Sequence, residues 1–222
     1  MTGQRKGFFG GGKYARWFFF AIANIRRRLG SILPVERYGQ EGTMTTQQSD
    51  YRLGELILFI CQKSEKDIYF GAVKLNKLLW YADFSAYFHL GELITGTEYW
   101  NLQEGPTPKR LVQVRSNLLS EKPPALAIQL NQFPNFVQHK PIQLRPPQLR
   151  DFRGDQLAIV EEVIRENWNL TATEISLKSH KEWGWKLTKR REIIRPETFV
   201  LSPETEKLSE EELDRILSTV TV

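Results

Sequence analysis

The chain has 222 residues, 41% hydrophobic and 26% charged, which suits one ordinary domain with a real core and excludes wholesale disorder. Its net charge is +5, but residues 1–43 hold eight basic and two acidic side chains, leaving 23 basic and 24 acidic in the rest; the body lacks the broad positive excess of a nucleic-acid binder. Cys61 is the one cysteine, which excludes an intrachain disulfide and a four-thiolate zinc site and makes a reducing cytoplasm the expected setting.

Residues 1–43 carry an apolar run, Trp17 to Ile25, between basic flanks. It is far shorter than the roughly 20 residues a bilayer span needs, so a membrane role is not expected. The segment reads as a basic extension. It is either a disordered tail or sequence upstream of a true start at Met44. The domain is expected over 44–222.

Leu53, Leu56, Ile57, Ile60 and Cys61 follow helical spacing and predict a helix over 50–64, with Asp50 as its N-cap. The strongest helix follows at Ala72 to Leu90. Leu75, Leu78, Leu79, Ala82, Ser85, Ala86 and His89 form one stripe, widened by Trp80, Tyr81, Phe84, Tyr87 and Phe88. Such a helix is central and buried on more than one face, and Gly91 is its C-cap.

One or two short strands are expected within 93–104. Gly105-Pro106-Thr107-Pro108 then reads as a strand-to-helix corner, with Thr107 capping and Pro108 opening a helix to Ser120. That helix has Leu111, Val114 and Leu118, with Val112 and Leu119, as its apolar face. Residues 121–150 hold six of the eleven prolines. Stretches 125–130 and 136–144 between them predict a hairpin or edge strands, where proline is tolerated. A helix is expected over 154–168. Thr171 and Glu174 have capping-box spacing, as do Ser209 and Glu212 ahead of a short final helix. Stretches 180–187 and 196–202 read as irregular or extended. The fold class is α+β, mainly helical with a small antiparallel sheet or hairpins.

The search for chemistry returns little. His89, His139 and His180 have no partner at a metal-ligand spacing. His180 is expected to anchor a turn by a hydrogen bond. Cys61 falls on an apolar helix face, where a buried thiol is inert packing. Gly7 to Lys13 has phosphate-loop spacing, yet Tyr14 stands where a magnesium-binding hydroxyl belongs, so the match is chance. Glu98, Glu104 and Asp83 are the best acid–base candidates, but side chains close in sequence need not share a pocket, and surface charge is the commoner role. No catalytic residue, metal or cofactor is expected.

Two ordered stretches carry a resemblance. Lys77-Leu78-Leu79-Trp80-Tyr81-Ala82-Asp83, then Gly91, Thr95-Gly96, Trp100 and Gly105-Pro106, form the first. Glu174-Ile175-Ser176, Ser179-His180 and Trp183 form the second. Together they resemble the SocA-like antitoxin, or Panacea, domain family. Thr107 after Gly-Pro and the proline-rich 121–150 stretch depart from its pattern.

The resemblance implies a Panacea-like fold and a cytoplasmic, protein-binding antitoxin of a bacterial or phage toxin–antitoxin system. Its partner would be a cognate protein toxin encoded next door. Neutralisation would proceed by direct binding or by delivery to a ClpXP-type protease. Candidate partner-binding residues are Trp100, Lys109, Arg110, Phe133, Phe136, Lys189, Arg190 and Arg191. The alternatives are a nucleic-acid-binding autorepressor, using the basic run Lys186 to Arg195, and an acid–base enzyme using Glu98, Glu104 or His180.

Overall fold

In a computed structural model of the chain, residues 44–201 are described. The described part is α+β and mainly helical, as expected.

Helix α1 spans Thr46–Lys63. Its N-cap is Thr45, not Asp50. Thr45 and Gln48 cap each other reciprocally, with Gln48 N donating to Thr45 Oγ1 at 3.2 Å and Thr45 N to Gln48 Oε1 at 2.9 Å. Asp50 is drawn instead into a two-pronged pair with Arg110, at 3.0 and 2.6 Å. A partner 60 residues away overrides the local capping preference.

Helix α2 spans Ala72–Leu90 and ends at Gly91, whose φ of 77° is the left-handed C-cap conformation. It is the central element. Trp80, Tyr81, Phe84 and Tyr87 are all buried, so its aromatics are core rather than a stacking platform. His89 departs from the predicted stripe and is exposed.

Strands β1 (Tyr99–Leu102) and β2 (Gly105–Pro108) form an antiparallel hairpin. The short strand β5 (Ile193–Ile194) pairs with the other side of β1, giving the order β2-β1-β5. Gly105-Pro106-Thr107-Pro108 is thus a strand, not a corner. Both prolines sit on the edge strand, where a missing N–H costs nothing. Helix α3, Leu111–Ser120, starts later than predicted and has no side-chain cap. Leu111, Val114 and Leu118 are buried as expected, whereas Val112 is 82% exposed and Leu119 is exposed too.

Strands β3 (Leu126–Phe133) and β4 (Phe136–Gln143) form the second hairpin. Lys140 Nζ ties it to the α1–α2 loop by donating to Glu65 O at 2.8 Å. Buried Glu55 of α1 holds the following segment, accepting from Arg145 and from Gln148 N at 2.6 Å.

Helices α4 (Gly154–Glu166) and α5 (Ala172–Lys181) pack on α2. The Thr171–Glu174 capping box opens α5 as predicted. Stretch 180–187, expected to be irregular, includes a short helix α6, Trp183–Leu187. A 3-10 turn, Pro196–Leu201, follows β5. There Phe199 meets Trp80, Tyr81 and Phe84 edge-on. The expected Ser209–Glu212 capping box and residues 1–43 lie outside the described residues.

Candidate functional site

Of the buried polar centres on α2, two frame the site. The first is Asp83, fully buried one turn beyond Leu79. Thr95 N donates to Asp83 Oδ1 at 2.8 Å and Thr95 Oγ1 to Oδ2 at 2.5 Å. The Tyr99 hydroxyl lies 2.7 Å from the same Oδ2 and 2.9 Å from the Leu79 carbonyl oxygen. Burial pushes the Asp83 carboxyl up from its ordinary range, while the bonds from Thr95 and Tyr99 pull it back. This knot fastens the 91–98 loop and β1 to α2. No substrate can reach it without unpacking the core, which fits a structural role.

The second centre surrounds Lys77. Its side chain is buried, 1% exposed, yet among the described residues its ammonium has one acceptor, Pro106 O, at a long 3.4 Å. Burial brings it down to about 8, with Glu104 partly opposing. Gly105 makes the close approach possible. A Cβ there would stand 2.7 Å from Ser179 Oγ and 2.8 Å from Lys77 Nζ, and its φ is 100°. Gly105→Ala is therefore expected to cost about 3 kcal/mol or more, from strain and overpacking together. Urea unfolding measures it; a loss within experimental error would show that β2 shifts freely.

His180 completes this corner. Its ring stacks on Trp185 at 4.1 Å, and Nε2 is buried without a hydrogen-bond partner. Among the described residues that nitrogen makes no turn-anchoring bond, and the ring packs on Trp185. Burial, and then the nearby positive charge of Lys77, pull His180 below its ordinary range.

The loop between α6 and β5 closes the corner. Asn101 of β1, itself buried, donates from Nδ2 to Trp185 O at 2.7 Å and to Thr188 O at 2.6 Å. Arg191 N returns to Asn101 O at 2.8 Å, with Arg191 in a left-handed conformation (φ 66°). These bonds fix the loop that presents Lys189, Arg190 and Arg191, all exposed.

The other expected positions divide clearly. Tyr81 and Ala82 are buried in the core, with Lys178 Nζ over the Tyr81 ring at 4.9 Å. Gly96 turns the 91–98 loop against Met44. Pro106 supplies the carbonyl facing Lys77. Trp183 is partly exposed at the start of α6, and Trp185 rather than Trp183 meets His180.

Among the partner-binding candidates, Trp100 is half-buried in β1. Lys109 pairs with Glu98 at 2.8 Å, and Arg110 is taken up by Asp50. Phe133 and Phe136 stack in parallel at 4.7 Å on the tip of the second hairpin, 42% and 58% exposed. Glu98, Glu104 and Asp83 do not converge: Glu98 pairs outward, Asp83 is sealed, and Glu104 stands at the Lys77 corner. Sequence reading missed Lys74, Tyr99, Asn101 and Trp185. For Lys74 a signal existed: a charged residue inside an otherwise apolar helical face demands a buried partner.

Cys61 is buried and its thiol is pushed up to about 12 by that burial, which leaves it unreactive. Among the described residues no group of His, Cys, Asp and Glu could hold a metal ion, and no helix is long and apolar enough to cross a membrane.

The arrangement defines a small α+β scaffold whose buried polar knots position surfaces. The family model for the antitoxin SocA-like, Panacea domain matches residues 75–186, half of the chain. The chain belongs to that family. Neither the curated proteins nor the solved structures contain a match to it.

Proposed function

We propose that this protein is a protein-binding antitoxin that neutralises a toxin encoded beside it. Family membership supports an antitoxin-type role. The observation that carries direct binding is the stacked, exposed Phe133–Phe136 pair at a hairpin tip. Two aromatic rings held out in water lose apolar burial that a partner pocket would restore. Val137 and Leu130 on the same hairpin are exposed as well. Interfaces draw most of their energy from a few such anchors.

The test is co-expression with the adjacent reading frame. That frame alone is expected to arrest growth, and this protein to restore it. Phe133→Ser with Phe136→Ser is expected to weaken the complex at least about a hundredfold and abolish rescue, with an unchanged thermal midpoint. Rescue by that variant removes the tip as the interface. A harmless neighbour removes the antitoxin reading. Toxin half-life then separates the two modes: occlusion leaves it unchanged, and delivery to a ClpXP-type protease shortens it.

A further inference from the structure

We propose that the cleft over Lys77 binds a small molecule through a phosphate or carboxylate group. The cleft has a volume of about 460 Å³ and is lined by Asn76, Lys77, Gln103, Glu104, Arg190 and Arg191, among others. That volume lies in the range of small-ligand sites, roughly 300–1,000 Å³.

Two lysines of α2 differ sharply in their partners. Lys74 lies one helical turn before Lys77 and is buried to the same degree. Lys74 Nζ has three acceptors: Asp67 Oδ2 at 2.6 Å, and the carbonyls of Trp168 and Leu170 at 2.8 Å each. That lysine is complete. Among the described residues Lys77 has the single 3.4 Å contact to Pro106 O and no carboxylate at ion-pair distance. An ammonium with three donors, taken out of water, is costly unless something accepts from it. Here the open side of the cleft is where that acceptor belongs.

The surroundings favour an anion. Arg190 and Arg191 stand on the rim, and the Asn101 bonds hold their loop in place. Arg190 spends one donor on Gln103 Oε1 at 3.0 Å, leaving others of its five. Asn76 Oδ1 is buried without a partner among the described residues and would accept from a ligand hydroxyl or amide. Among the described residues Glu104 is the one carboxylate lining the cleft. Three cations against one anion leave a net positive site. A planar guanidinium and a buried ammonium together match an oxyanion. The lining of this cleft does not include the hairpin tip.

The full chain would be titrated with inorganic phosphate and, separately, with citrate, each against sodium chloride at matched ionic strength. Backbone amide shifts of Gly105 and Arg191 would be followed by NMR. Saturable shifts with either anion are expected; which anion saturates names the head group. Arg190→Ala with Arg191→Ala, both exposed, is expected to keep the fold and weaken binding at least about tenfold. Lys77→Met is expected to do the same. Shifts no larger than those in sodium chloride, or wild-type affinity in the arginine variant, would overturn the proposal. If Lys77→Met does not fold, the arginine variant decides alone.

Discussion

Replacing Asp83 by alanine is expected to cost the domain about 4 kcal/mol. Three donors face its carboxyl: Thr95 N, Thr95 Oγ1 and the Tyr99 hydroxyl, from residues at most 1% exposed. Alanine leaves a cavity, strips both Thr95 donors of their acceptor and leaves the Tyr99 hydroxyl only the Leu79 carbonyl oxygen. Asp83→Asn keeps one acceptor oxygen and is expected to lose less. The pH dependence has a definite sign. Burial raises the folded carboxyl above its ordinary value. Its contribution is therefore fully present below the unfolded value and declines as pH rises through the folded one. The gap between wild type and the alanine variant should be widest in acid and narrow toward neutrality. Urea unfolding across that range measures it. A loss under about 1 kcal/mol, or a gap that widens with pH, would remove the knot from the account of stability.

The two lysines of α2 are expected to respond to the same substitution with opposite signs. Lys74→Met removes a cation that satisfies buried Asp67 and two carbonyls. Breaking such a pair strands the remaining charge and costs about 3–5 kcal/mol. Lys77→Met strands a single carbonyl contact and relieves an uncompensated ammonium. It is expected to stabilise the unliganded protein, by up to about 3 kcal/mol.

The pH test follows from the lowered value of about 8 against an ordinary 10.5. A base with a depressed folded value penalises the fold in full below the lower number and not at all above the higher one. Wild type should therefore gain on Lys77→Met as pH rises between those two values. Thermal midpoints in one buffer series decide it. Equal losses in both variants would mean that Lys77 is satisfied in the same way as Lys74.

Much of this was legible. Helix α2 was readable to the residue, because its apolar spacing is long and glycines flank both ends. The Thr171–Glu174 capping box was equally plain, since its bonds span three residues. The second hairpin followed from prolines that only edges accept. Errors arose where a distant partner decided. Thr107-Pro108 carries helix-start chemistry, yet pairing with Trp100 and Tyr99 makes it strand. Asp50 suits a cap, yet Arg110 claims it. Glu104 read as a solvated charge. It is exposed, but β2 folds it back beside a lysine 27 positions earlier on another element. Sequence proximity cannot express that juxtaposition, nor the one joining Asn101 to Trp185.

Phe199 gives the fold an order in time. The aromatic face of α2 emerges early in synthesis, and the ring that covers it edge-on lies more than a hundred residues later. Until Phe199 leaves the ribosome, Trp80 and Phe84 lack one of the rings that cover them, although Tyr99 already meets Phe84 edge-on. A chain cut short ahead of Pro196 would leave the part of that face under Phe199 uncovered. Synthesis of the segment around Phe199 becomes the step that finishes covering the aromatic face of α2.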